Sequence, residues 1–333
     1  MTAYYSATAC TTFFINKNGQ MVFGRNYDWV TDAGMVCTNL RGLSKTSMKT
    51  AGGGTINWVS QYGSITFNQY GKEFPTGGMN EKGLVVELMW LDETKYPKAD
   101  SRPAVDVLQW VQYQLDNCAT IEEVIATDKK IRIAGTGNAP LHYLIADAKG
   151  NAATIEFLEG KMVLHTGKDL PLAVLTNDTY KKALHSSYIG SNNSLERFHK
   201  ACTMLNKFET TTVDRPITDY AFDMLAEVAQ GNFTKWSIVY DITNKTIHFK
   251  TNRFNEVKQV SFSSFDLSCK PVSKVWDMNQ KANGNINKNF EDFNEKINRR
   301  IVETAFKESK EQINVPDKVI ESVWRYAGSI RCQ

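Results

Sequence analysis

Two apolar runs flank a single Asn18-Gly19 pair in CTTFFINKNGQMVFGRNYDW, residues 10–29, and no other segment constrains the fold of this chain as tightly. Asn and Gly both accept the left-handed backbone of a two-residue type I′ turn, so the runs must fold back on each other as a hairpin. The second strand therefore returns towards Cys10. Strand-like runs recur in SITFNQY, KGLVVELMWL, HYLIADA, AATIEFLEG, KMVLHTG and LAVLTN, and again in WSIVYDITNKTIHFKT and KQVSFSSFDLS. Turn residues at 147–150 and 159–160 join three of them into a meander. Helical spacing occupies AVDVLQWVQYQLDN, a segment opening at Thr120 as N-cap, and residues 194–207 and 216–230. Gly77–Gly83 reads as a polar, glycine-punctuated loop entering an apolar strand. No repeat, low-complexity linker or composition break divides the chain. The pattern predicts one α+β domain of antiparallel strands over residues 10–333, ending in a polar helical tail from about residue 280.

Composition narrows the function classes. The chain has 333 residues, 42% hydrophobic and 23% charged, enough to bury a full core without disulfides or metals. A net charge of +3 is too small for a nucleic-acid partner, and no apolar run is long enough for a membrane-spanning helix. Six cysteines are scattered without a CxxC pair or a His spaced for zinc, so neither a metal nor a cofactor is expected. Cys118 and Cys202 lie in helical stretches and read as small buried hydrophobes.

Cys10 is different. It follows Ser6-Ala7-Thr8-Ala9, and Ala-x-Ala is the small-residue pattern cut by signal peptidases. Residues 1–9 lack a basic start and an apolar stretch, so they read as a leader remnant or a short propeptide. The hairpin brings Arg25 and Asp28 back beside Cys10, where an arginine would lower a thiol's pKa and a carboxylate could hold an amine. A plain surface ion pair is the competing reading of Arg25 and Asp28. Asn177, at the end of an apolar strand, is either a turn residue or an amide donor to a developing oxyanion. Arg197 sits in a helix between Glu196 and Lys200 and reads by itself as a solvated arginine. None of the five histidines lies in HExxH, and GxSxG is absent, which disfavours zinc and Ser-His-Asp hydrolases. A cysteine that becomes the N-terminal residue needs no histidine, because its own α-amino group can take the proton.

Together these segments resemble the choloylglycine hydrolase family of linear amide C–N hydrolases, which includes penicillin V acylases and conjugated bile salt hydrolases. Cys-Thr-Thr at 10–12, GRNYDW at 24–29, GMNEKGL at 78–84, HYLIAD at 142–147, LTND at 175–178 and FDLSC at 265–269 carry the likeness, from Cys10 to about Trp276. The resemblance implies an N-terminal nucleophile (Ntn) hydrolase, an αββα four-layer sandwich of antiparallel sheets. It implies Cys10 as nucleophile after loss of residues 1–9, and Arg25 and Asp28 as the groups setting its charge environment. It further implies Asn177 as oxyanion donor and Arg197 as a second electrostatic arginine. Trp90 stands where the family has Asn or Tyr, so it should offer its backbone N–H and line the pocket with Tyr27, Trp29, Trp58 and Phe67.

LMWLDETKYP, residues 88–97, is closer to the Gram-negative penicillin V acylase branch, which is also associated with acyl-homoserine lactones. The implied partner is a small N-acyl amide, cleaved through a thioester. Bile salts are the alternative substrate, and an unprocessed, inactive binding homologue is the alternative of another class. A cysteine peptidase of another fold is a third. The resemblance also implies a homo-oligomer, a dimer or a tetramer. However, Asn177 and Arg197 lie 20 residues apart, too close for the excursion on which the Gram-positive tetramer depends. The polar tail is expected to pack against a neighbouring subunit. A periplasmic or secreted location is expected, with the cytoplasm as alternative.

Overall fold

The structure, a computed structural model, describes residues 10–50, 52–134, 139–187, 192–211 and 214–333. The leader expected at residues 1–9 lies outside the described residues. Two mainly antiparallel sheets stack face to face. The first has seven strands and is centred on Thr11–Lys17, Gln20–Asp28, Thr234–Asp241 and Thr246–Thr251; the second has nine, with Ser64–Asn68, Pro75–Asn80, Val85–Trp90 and Leu141–Ala146 at its centre. Helices cover both outer faces. In chain order these are α1 (Val107–Asn117), α2 (Ile121–Ala126), α3 (Tyr180–His185), α4 (Asn193–Thr210), α5 (Ile217–Glu227), α6 (Glu295–Glu308) and α7 (Asp317–Tyr326). Helices α4 and α5 pack on the seven-stranded sheet and α1 on the nine-stranded one, giving the four-layer αββα order.

Local sequence explains the frame. Asn18 and Gly19 both have positive φ, 53° and 78°, and Lys17 pairs directly with Gln20, as the type I′ turn requires. Glu159-Gly160 repeats the device between Leu158 and Lys161 and closes the meander. Asp106 and Thr120 cap α1 and α2 with their side-chain oxygens. The sheets bury aromatic side chains between them. Phe67 of the nine-stranded sheet meets Tyr240 and Phe249 of the other edge-on, with ring centroids 6.1 and 5.4 Å apart. Cys118 and Cys202 are free and buried, as their helical context suggested.

One expectation changes, and the C-terminus adds two features. Gly77 and Gly78 lie in the buried strand Pro75–Asn80, not in a loop. A side chain at Gly77 would strike the Glu87 carboxylate, so this glycine makes room for a buried charge. The C-terminal tail packs on its own chain: Val302, Phe306, Val323, Trp324 and Tyr326 form an apolar cluster with Tyr70 and Phe74. The tail reads as polar because α7 is amphipathic and its charged face hides a buried one. Finally, Cys332 pairs with Cys269 in a disulfide with Cα atoms 5.5 Å apart, and Arg331–Cys332 adds a short strand to Leu43–Thr46.

Candidate active site

Cys10 opens the first strand and is buried, with 4% of its surface exposed. Strand register sets its neighbours: Thr11 faces Asn26, Thr12 faces Arg25, and Leu175 lies on the other side of Thr12. The same end of the sheet thus gathers Cys10, Asp28 and the segment around Asn177. The Cys10 thiol points its weak donor at the Asp28 carbonyl, 3.8 Å away.

Arg25 and Asp28 are both fully buried and do not form a surface pair. Arg25 turns towards the second sheet, where it pairs with Glu87 and donates to the carbonyls of Thr76 (2.8 Å) and Leu88 (2.9 Å). Its guanidinium also lies 4.7 Å from the centre of the Tyr27 ring. Burial acts to discharge Arg25, but Glu87 and then Cys10 outweigh it and raise its pKa. A lone carboxylate inside the apolar run VVELMW was the sequence signal for Glu87, since such a group must find a cation. Tyr240 donates its hydroxyl to the same carboxylate.

Asp28 faces the other way. Its Oδ1 accepts from Thr234 Oγ1, while Oδ2 is buried with no hydrogen-bond partner among the described residues. Burial pushes its pKa up to about 7, with Arg197 and the Thr234 hydroxyl opposing. Unfolded, this carboxyl ionises near its ordinary 3.8; folded, it keeps its proton to about 7. In the chain that retains residues 1–9, wild-type stability should therefore fall as pH rises from 4 to 7. Asp28→Asn has no such titration and should gain on the wild type across that window, by up to about 4 kcal/mol at pH 8. Denaturant unfolding of both proteins at pH 4 and pH 8 checks this, and parallel curves would contradict it.

Arg197, expected to be solvated, is 2% exposed. Helix α4 presents it to the first strand, while Glu196 and Lys200 pair with each other at 3.2 Å on the solvent side. Its guanidinium binds the Cys10 carbonyl, Thr11 Oγ1 at 2.7 Å and Asn177 Oδ1 at 2.9 Å, and its Nε reaches Asn193 Oδ1 at 2.9 Å. A guanidinium can only donate, so it fixes the Asn177 amide with oxygen towards Arg197 and nitrogen away. That nitrogen donates to the Trp90 carbonyl at 2.8 Å. An amide nitrogen carries two hydrogens, so one remains to offer.

The thiol itself departs from expectation. Burial raises the Cys10 pKa, and the pull of Arg25, then of the Asp28 main-chain contact and Arg197, does not reverse it. Sequence proximity to arginine gave the wrong direction because it could not weigh desolvation. Cys10 and Asp28 open onto a cavity of about 460 Å³ whose walls include Tyr27, Trp29, Tyr70, Leu88 and Trp90. Trp29 donates to the Tyr70 hydroxyl at 2.7 Å and lies 6.0 Å, centre to centre, from Trp90. The Trp90 indole donates to Asp92 at 2.6 Å. Two expected wall residues are elsewhere. Trp58 packs on Tyr113 under α1 and donates to Asp116, and Phe67 lies in the core between the sheets. Their aromatic content fits a core as well as a pocket, and only strand register separates the two.

A family model for linear amide C–N hydrolases of the choloylglycine hydrolase family matches residues 10–200. The chain belongs to this family. It is 30% identical over 223 residues to the penicillin V acylase of Pectobacterium atrosepticum, an alignment spanning 58% of this chain and 58% of that relative. Its fold is similar to that of penicillin V acylase from Agrobacterium tumefaciens, with a TM-score of 0.74 and 27% identity over 86% of this chain and 98% of that one. Conjugated bile acid hydrolase from Clostridium perfringens shares the fold at a TM-score of 0.66 and 16% identity, over 83% of this chain and 98% of that one. Family membership agrees with the likeness read from the motifs, and the two neighbours agree with the Ntn-hydrolase sandwich. Among the described residues no helix is long and apolar enough to cross a membrane, and no cluster of His, Cys, Asp and Glu could hold a metal ion.

Proposed function

We propose that this protein is an N-terminal-cysteine amidohydrolase that cleaves the linear amide of a small N-acyl compound through a thioester. The observation that carries the reading is the position of Cys10, at the head of an apolar cavity with Asp28 beside it and Arg197 linking its carbonyl to Asn177. The family match beginning at Cys10 supports the loss of residues 1–9. So does the buried thiol, which stays protonated near neutral pH and needs a base close by. An α-amino group, of pKa near 8, is such a base, and Asp28 Oδ2, without a partner among the described residues, is a ready acceptor for it.

In the proposed reaction the Cys10 sulfur attacks the amide carbonyl, and the thiol proton passes to the α-amino group. Asn177 Nδ2, with a main-chain N–H near Trp90, donates to the oxyanion. The C–N bond breaks as the α-ammonium returns its proton to the leaving amine. Water, activated by the same amine, then attacks the thioester and releases the acid and the thiol. Apolar walls favour an aromatic or aliphatic acyl group, as in penicillin V or an acyl-homoserine lactone. We also propose export to an oxidising compartment, supported by the Cys269–Cys332 disulfide. The test uses protein trimmed to begin at Cys10, offered penicillin V, an acyl-homoserine lactone and glycocholate. Release of acid and amine from one of them is expected. No turnover of any, while the untrimmed chain binds them equally well, would favour a binding protein instead.

A further inference from the structure

The cavity at Cys10 is not closed by the catalytic sandwich alone. Part of its wall comes from the C-terminal segment: Phe306 of α6, Ile313 and Val315 of the connection, and Val319 and Val323 of α7. Val319 and Val323 are four residues apart and so share one face of the helix. A line of rings connects this wall to the site. Trp90 neighbours Trp29, Trp29 is bonded to Tyr70, and the Tyr70 ring lies 4.8 Å from Phe306 while its hydroxyl donates to Ser309 at 2.9 Å.

The segment is fastened at several points, so it is a fixed wall and not a loose flap. Asn298 accepts from the Lys72 main chain at 3.0 Å and donates to the Trp324 carbonyl at 2.7 Å. Tyr326 donates to the Thr46 carbonyl at 2.8 Å, and the Cys332–Cys269 disulfide ties down the end of the chain. A preformed apolar chamber binds without the cost of ordering its walls.

We infer that the C-terminal α6–α7 segment is the specificity-determining wall of the acyl chamber, with Val319 setting how long an acyl chain it takes. This rests on the hydrolase reading above. Each methylene that reaches apolar wall should add up to about fourfold to kcat/KM, from about 0.8 kcal/mol per buried CH₂, until the chamber is full. The test compares amides of one amine acylated from butanoyl to dodecanoyl. Val319→Trp should cost tenfold or more on the longest acyl groups and less than about twofold on butanoyl. Val319→Ala should move the optimum to longer chains, and it covers the case in which the tryptophan variant fails to fold. Equal loss on every substrate, or no change, would overturn the inference. Calorimetry with the free fatty acids on the same proteins separates the two readings. Binding that strengthens with chain length and is lost in Val319→Trp, without any hydrolysis, would uphold the wall and refute the hydrolase. Neither binding nor hydrolysis would overturn both.

Discussion

Cys10→Ser is expected to lower kcat/KM at least ~10³-fold while leaving the melting temperature almost unchanged. The substitution replaces one buried atom, and a hydroxyl can still donate to the Asp28 carbonyl that the thiol faces. Serine lacks the intrinsic nucleophilicity of sulfur, and among the described residues no histidine lines the cavity to activate it. Undiminished turnover on the substrate used by the wild type would remove Cys10 from the mechanism. A large stability loss would instead make it a packing residue.

Asn177→Ala should cost about 10²–10³ in kcat with little change in KM, because the lost donor acts on charge that develops only in the transition state. The alanine also strands an Arg197 N–H and the Trp90 carbonyl, so about 1–3 kcal/mol of stability should go with it. Asn177→Asp isolates the missing hydrogen from the missing side chain. Its carboxylate keeps the Arg197 contact but has no hydrogen for the oxyanion or for the Trp90 carbonyl, so that variant should be as inactive as the alanine. Activity retained in Asn177→Asp would show that the amide hydrogen is not the oxyanion donor.

How much of this could be read from the sequence depended on the range of the interactions. Asn18-Gly19 and Glu159-Gly160 announced their hairpins because a two-residue turn is a local event fixed by two φ angles. The nearness of Cys10 to Arg25 and Asp28 followed from the first hairpin by counting residues. The burial of Arg197 did not, because it depends on which face α4 turns towards the first strand. Glu87 was visible only as an unexplained charge in an apolar run, and its partner came from the other sheet. Trp58, Phe67 and Trp90 look alike in sequence, yet one lies under α1, one between the sheets and one on the cavity. The C-terminal wall was the least legible part. Its apolar residues are spread at helical spacing among charges, and nothing near them in the sequence points to a cavity formed by residues 10–141.

The measurement that bears most directly on the central proposal is the intact mass of the protein, quenched in acid during turnover of penicillin V. The expected species is a chain that begins at Cys10 and carries one phenoxyacetyl group, which peptide mapping places on Cys10. A chain that keeps residues 1–9 and still turns over at full rate, or an acyl group on any other residue, would contradict it.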